Sequence, residues 1–323
     1  MDRPVIVALA ESLRGPEAER VAAVSPRVRI AYVSTSGEPR DDVSDAEVVY
    51  RGFGLMPPGL RRLLPLMPKL RWIHVMGAGV DGDLTPQVVA SDIVVTRTRG
   101  LHNLPVSEWV MLQLLAVTKR LPELVLAQHE HQWHPVEVPV TIQGRTMGIV
   151  GYGEIGQTLA VRARAFGLRV VGTRRHPQPA AELDAVYPPS ELERLLEQSD
   201  YVVILTPLTS ETRGLIGEAQ LRRMKPDAWL INVARGEVIQ EEPLLRALRE
   251  NWIAGAALDV FPHEPLPADS PLWQLPNVLI TPHNGGVRHP NFSAEALNQF
   301  LDNLGRYVRG EPLRNQVDKG AGY

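Results

Sequence analysis

The stretch GIVGYGEIG, Gly148 to Gly156, decides how the rest of the chain is read. It sets Gly151, Gly153 and Gly156 in G-x-G-x-x-G spacing, after an apolar run and before a helical pattern. In that context the first glycine makes a sharp bend and the second lets the backbone approach a pyrophosphate. The third lets the helix pack closely on the strand. The helix start then offers N–H groups and the positive end of its dipole to phosphate. Gly151, Tyr152, Gly153, Glu154, Ile155 and Gly156 are therefore expected to line a dinucleotide. A merely structural glycine turn is the competing reading.

Outward from the turn, β-branched runs alternate with helical patterns. The expected strands after it are TMGIVG, RVVGTR, YVVILT, AWLINVA, AGAALDV and NVLITP. Before it lie VIVALA, VRIAYV, AEVVY, LRWIHVM and IVVTRT. Continuous apolar runs of this length fit parallel strands buried on both faces. Between the two series, Val106 to about Gln128 is strongly apolar and is interrupted by Pro122. So apolar a helix needs burial on more than one side, at a domain connection or a subunit interface. Ser190 with Glu193 reads as a capping box that opens a helix. A last helix is expected near Phe292 to Val308.

With 323 residues the chain can form about two domains. Hydrophobic residues at 44% and charged residues at 22% are ordinary for a globular fold. A net charge of −3 gives no global field toward nucleic acid or an acidic membrane. The chain has no cysteine, which excludes disulfides, thiolate metal sites and a cysteine nucleophile. No apolar run reaches the roughly 18 residues of a membrane span. MDRPVIVALA carries charge too early for a secretory signal, so the cytoplasm is the expected location.

One place in the fingerprint departs from the common pattern. About twenty residues past such a turn an Asp or Glu is expected, to hold a ribose hydroxyl. VVGTRRHP, Val170 to Pro177, has Arg174 and Arg175 there. An acid would repel a 2′-phosphate, which carries roughly −1.5 to −2 charges. Arginine reverses that, because its planar fork matches phosphate oxygens and keeps its charge. NADPH is therefore expected over NADH. The alternative is an NAD enzyme whose two arginines face solvent.

Beside a cofactor that donates hydride, a reduction needs a proton donor, and an anionic substrate needs a cation. His283, in TPHNGG, suits the proton role because its pKa lies near neutrality. Glu264, in PHEPLP, could orient its ring, and Arg235, in NVARGEV, could clamp a carboxylate. All three follow predicted strands, where ligands of α/β proteins bind. Taken with the glycine turn, LINVARGEVI, ALDVFPHEPLP and SPLWQLPNVLITPHNGG give a chain that resembles the D-isomer-specific 2-hydroxyacid dehydrogenases, glyoxylate and hydroxypyruvate reductases among them. The resemblance covers nearly the whole length.

The resemblance implies an α/β protein of two Rossmann-like or flavodoxin-like domains with parallel sheets and an active site in the interdomain cleft. A discontinuous substrate domain would take residues 1–100 with 287–323, and the cofactor domain residues 101–286. Arg235, Glu264 and His283 would be catalytic. Thr173, Arg174, Arg175, Thr206, Pro207, Thr212, Val233, Ala234, Asp259 and Gly285 would join the glycine turn, Arg235 and His283 around the cofactor. Ala78 and Gly79, in MGAGVD, would contact the substrate carboxylate beside Arg235 and His283, though a plain turn explains these glycines as well. Arg51 to Met56, Met76 and Trp133 are candidates for the substrate side-chain pocket. A homodimer is expected, with no nucleic acid and no membrane partner.

His129, His131 and His134 lie close together, but they lack H-E-x-x-H spacing and an acid partner, so no metal is expected. A different class of function remains open: a non-catalytic NAD(P)-sensing interaction protein on the same fold.

Overall fold

The computed structural model describes residues 3–52, 54–133, 135, 141–286 and 292–323. The chain divides into two compact units, Met1–Leu101 with Arg288–Tyr323, and His102–Val287.

In the first unit β1 (Val5–Ala10) leads through α1 (Pro16–Ala22) to β2 (Val28–Val33) and β3 (Ala46–Arg51). Then follow α2 (Pro57–Leu63), β4 (Trp72–Val75), α3 (Pro86–Val89) and β5 (Val94–Arg97). All five strands are parallel, in the order β2-β1-β3-β4-β5. This is the flavodoxin-like order. Both faces of the sheet are covered, which is why its strands read as unbroken apolar runs. On one face Ala8, Val49 and Ile73 pack with Leu60 and Leu63 of α2 and Val88 of α3. On the other, Val7, Val48 and Trp72 meet Leu297, Phe300 and Leu304 of the C-terminal helix. There Phe300 lies 4.7 Å from the ring of Tyr50 and 5.2 Å from that of Trp72.

The second unit opens with α4 (Asn103–Thr118) and α5 (Leu121–His129). Next come β6 (Thr146–Val150), α6 (Glu154–Ala165), β7 (Arg169–Thr173), β8 (Ala185–Tyr187), α7 (Leu192–Gln198) and β9 (Tyr201–Ile204). The unit is completed by α8 (Glu218–Arg223), β10 (Trp229–Asn232), α9 (Glu241–Arg249), β11 (Gly255–Leu258) and β12 (Val278–Ile280). The chain then returns to the first unit with α10 (Phe292–Arg309). The sheet order is β12-β11-β10-β9-β6-β7-β8, all parallel. Strand order therefore reverses between β6 and β9, the crevice where dinucleotides bind in this architecture. Alternate strand residues feed two cores. Val150, Val202, Leu230 and Ala256 face α7, α8 and α9, while Met147, Ile149, Val203 and Ile231 face α4 and α6. Fully buried side chains such as Leu114 and Leu159 each contribute about 1.5–3 kcal/mol.

One local expectation changes, one is met and one strand is added. Ser190 does not cap a helix: Pro189–Glu191 forms a 3-10 turn, α7 starts at Leu192, and its N-cap Glu191 makes no side-chain cap bond. The proline-led turn takes Ser190 into its interior, which moves the helix start on. The apolar stretch from Val106 is broken near Pro122 as expected: α4 and α5 are separated where Arg120 adopts a left-handed conformation (φ 52°), with Pro122 in the first turn of α5. β8, only three residues long, is an additional strand. Among the described residues no helix is long and apolar enough to cross a membrane.

Candidate active site

Arg235, Glu264 and His283 follow β10, β11 and β12, three adjacent strands, so their parallel pairing gathers the side chains at one sheet edge. Buried Asn232 ends β10 and shapes the first loop. Its amide accepts from the Ala234 N–H at 3.0 Å and donates to the Arg235 carbonyl at 2.9 Å. Gly236 lets this loop sit against the next. A Cβ there would lie 2.0 Å from the Phe261 carbonyl carbon and 2.3 Å from the Pro262 nitrogen. The second loop carries Glu264, whose Oε1 accepts from the Phe261 N–H at 3.0 Å.

Oε2 of Glu264 lies 2.7 Å from Nδ1 of His283. That bond is the main reason the His283 pKa is raised: burial opposes it, the Glu264 charge adds to it, Arg235 lowers it and Asp259 raises it. For Glu264, burial alone would raise the pKa. The bonds from His283 and Phe261, with the charges of His283 and Arg235, outweigh burial and leave it lowered. Arg235 is thus close enough for its charge to bear on both partners. The result is a histidine–carboxylate pair under the influence of a guanidinium, whose imidazole in its protonated form can deliver a proton to an oxygen on a bound anion.

The glycine turn lies in the same unit at the strand-order reversal. Gly151 has φ 96°, and a Cβ on it would stand 2.6 Å from the Thr206 nitrogen, so the turns after β6 and β9 touch. A Cβ on Gly156 would meet Tyr152 at 3.2 Å and Ile149 at 3.3 Å, a close helix–strand contact. Above Gly153 nothing lies within 4 Å, and α6 begins there without a side-chain cap. Open space over an uncapped helix start fits a pyrophosphate. Thr173 fastens the turn, its hydroxyl accepting from the Gly151 N–H at 3.2 Å and its carbonyl from the Tyr152 N–H at 2.6 Å. Glu154 and Ile155 form the first turn of α6. Thr206 is buried, and the Thr212 hydroxyl donates to the Pro207 carbonyl at 2.6 Å, closing that loop on itself. Val233 and Ala234 lead into Arg235 at the end of β10.

Past β7, Arg174 is half-buried, and Arg175 donates to Glu211 at 2.8 Å. The Tyr152 hydroxyl donates to Glu182 at 3.3 Å. Burial first, then Glu182, push that phenol up to about 12, and the Arg174 charge opposes the rise. Two arginines and two carboxylates therefore stand where sequence reading placed arginines alone.

Asp259, Asn284 and Gly285 form a tight knot. Oδ1 of Asp259 accepts from the Asn284 N–H at 2.9 Å and Oδ2 from the Gly285 N–H at 2.7 Å. Trp109 and Thr281 also donate to Oδ1, at 3.1 and 2.5 Å. Trp109, Gln113 and Thr281 were missed by sequence reading. The available signal was one Gln in the apolar run WVMLQLLAV.

In the first unit, the loop after β4 carries half-buried Ala78 and Gly79. Arg97 donates to the Ala78 carbonyl at 2.6 Å, and Arg51 forms a two-pronged ion pair with fully buried Asp83, one contact at 2.8 Å. Arg51 is thus held by Asp83. Met76 is buried, Met56 is exposed, and Trp133 in the second unit is 96% exposed. Among the described residues no group of three His, Asp or Glu could hold a metal; His134 lies outside them.

A family model described as "D-isomer specific 2-hydroxyacid dehydrogenase, NAD binding domain" matches residues 111–285. The chain is 39% identical over 259 residues to a glyoxylate reductase of Korarchaeum cryptofilum, covering 78% of this chain and 77% of that one. It is 36% identical over 265 residues to glyoxylate/hydroxypyruvate reductase B of Klebsiella pneumoniae, covering 79% and 81%. A crystal structure of a D-isomer specific 2-hydroxyacid dehydrogenase from Xanthobacter autotrophicus, in complex with NADPH and MES, superposes with a TM-score of 0.84. It is 30% identical, with all of both chains covered. Motifs, strand orders and full-length relatives agree, and the chain belongs to the D-isomer-specific 2-hydroxyacid dehydrogenase family.

Proposed function

We propose that this protein reduces a small 2-keto acid, of the glyoxylate and hydroxypyruvate kind, to the D-2-hydroxy acid, using NADPH in preference to NADH. The observation that carries the reading is the 2.7 Å His283–Glu264 pair with the Arg235 charge bearing on both. When bound, the reduced cofactor supplies a hydride. Gly151, Gly153, Gly156 and the start of α6 would hold its phosphates; Thr206 and Pro207 would flank it. Arg235 binds the substrate carboxylate and draws charge onto the keto oxygen. With Nδ1 on Glu264, His283 presents Nε2–H to that oxygen and gives up the proton. Glu264 keeps the ring oriented and stabilises its charged form. Ala78 and Gly79 are proposed to offer backbone N–H groups to the substrate.

Arg174 and Arg175 support the cofactor preference, and the NADPH complex of the Xanthobacter relative agrees with it. A homodimer is part of the same reading. Leu104 and Leu112 of α4 and Leu121, Val125 and Leu126 of α5 are exposed apolar side chains on successive helices. Cytoplasmic residence is part of the same proposal.

The deciding experiment assays a panel of 2-keto acids with NADPH and NADH separately. Turnover of glyoxylate or hydroxypyruvate, with higher kcat/KM for NADPH, is expected. Tight cofactor binding without oxidation on any acid would favour a sensor instead.

The raised His283 pKa fixes a pH dependence. Imidazolium is the acid, so reduction holds at low pH and falls as pH rises through a pKa above the ordinary histidine value. Oxidation of the hydroxy acid needs neutral imidazole and runs oppositely. In Glu264→Gln the chief cause of the rise is gone, so the reductive limb is expected at lower pH. A pH profile of kcat/KM checks this, and an unmoved limb would refute the role given to Glu264.

A further inference from the structure

We infer that Trp109 and Gln113, both on α4, are positioning residues that hold the His283 loop through Asp259 and Thr281. His283 has φ 53°, a left-handed conformation uncommon outside glycine and kept here by its surroundings. What imposes it here is the Asp259 carboxylate, 1% exposed, which takes the two N–H groups immediately after His283. The His283 N–H itself donates to the Asp259 carbonyl at 2.8 Å. Both ends of one residue therefore grip the turn.

That residue is in turn held from α4. The Trp109 indole N–H donates to Oδ1 at 3.1 Å. Gln113, one helical turn on, donates through Nε2 to the Thr281 hydroxyl at 3.0 Å, and Thr281 passes its own proton to Oδ1 at 2.5 Å. Since the carboxylate can only accept, the single hydroxyl proton of Thr281 points to Asp259, and Thr281 accepts from Gln113. Trp109 also walls the loop. A Cβ on Gly285 would lie 3.2 Å from the indole Cδ1 and 3.0 Å from Oδ2 of Asp259.

Gln113 carries an unusual cost. It is 1% exposed, and its Oε1 has no hydrogen-bond partner among the described residues. A buried acceptor left unpaired destabilises the fold, so a leucine would serve packing better. Retaining an amide at that place fits a task for its N–H, and the structure shows one: orienting Thr281.

The inference rests on His283 being the proton donor, and its test reads His283 directly. The groups facing the imidazole are Glu264 from the loop after β11, Arg235 from the loop after β10 and Asp259 at the end of β11. If the α4 contacts fix the turn, losing them lengthens the His283–Glu264 bond and lets the histidine titrate at lower pH. The experiment follows the His283 imidazole by NMR across pH, with reductive kcat and melting temperature, in the full-length protein. Trp109→Phe and Gln113→Leu are compared with Leu114→Ala, a buried core truncation on the same helix. Trp109→Phe and Gln113→Leu are expected to lower the His283 titration point and to cut kcat roughly tenfold or more, as small misplacements of reacting groups do. Gln113→Leu is expected to keep or raise the melting temperature, since it removes an unpaired acceptor. Leu114→Ala should lower the melting temperature and leave the titration in place. The inference is overturned if Gln113→Leu leaves titration and kcat at wild-type values, or if Leu114→Ala moves the titration as far as Trp109→Phe does. Retained reduction in His283→Ala would sink the proton-donor reading instead, while the NMR titration would still report on positioning.

Discussion

In His283→Ala, reduction of glyoxylate or hydroxypyruvate is expected to fall by about 10²- to 10⁴-fold in kcat, the range a positioned general acid supplies. Cofactor binding should change little, because the glycine turn and the Thr206 turn do not depend on the imidazole. The variant's residual activity should be flat with pH over the range in which wild-type activity declines, since the titrating group is gone, so the loss is largest at low pH. Three reasons make the effect large. The ring is the group in the catalytic set whose proton can move near neutrality. Its partner Glu264 has a lowered pKa and so carries no proton to donate in its place. Arg235 cannot deprotonate at all. Steady-state kinetics with a cofactor-binding titration on the same preparation checks the outcome. Wild-type kcat in the variant would remove His283 from the mechanism.

The second large effect concerns the cofactor. Arg174→Asp combined with Arg175→Ser is expected to shift preference from NADPH toward NADH by about a hundredfold. Charge-assisted hydrogen bonds contribute about 1.5–3 kcal/mol each, and each 1.4 kcal/mol is tenfold. The lower end applies because Arg175 is 39% exposed and already paired with Glu211. The new carboxylate adds repulsion of the 2′-phosphate and an acceptor for the 2′-hydroxyl. Ratios of kcat/KM with the two cofactors, and equilibrium binding of 2′-phosphorylated AMP, measure it. A wild type that prefers NADH would overturn the assignment and leave Arg235, Glu264 and His283 untouched.

Much of this was legible in the residues. All eleven expected strands form, because parallel strands buried on both faces leave unbroken apolar runs. The glycine spacing carried its structural meaning, since Gly151 and Gly156 make close contacts that a Cβ would spoil. What escaped depended on partners far apart in sequence. β8 is three residues before a proline, too short to show a period. The Ser190 box matched a pattern, but Pro189 diverts the chain into a 3-10 turn. Arg175 meets Glu211 and Trp109 meets Asp259 only through the fold. α4 read as a featureless apolar helix, although two of its polar atoms reach Asp259 and Thr281, on either side of the approach to His283.

The left-handed backbone at position 283 narrows what inheritance can do there. Among side chains, asparagine and aspartate share histidine's tolerance of that conformation, and glycine adopts it freely; β-branched residues do not. None of the tolerated residues can pass a proton near neutrality. A screen for folded but inactive variants at position 283 is therefore expected to return Asn, Asp and Gly ahead of the β-branched residues.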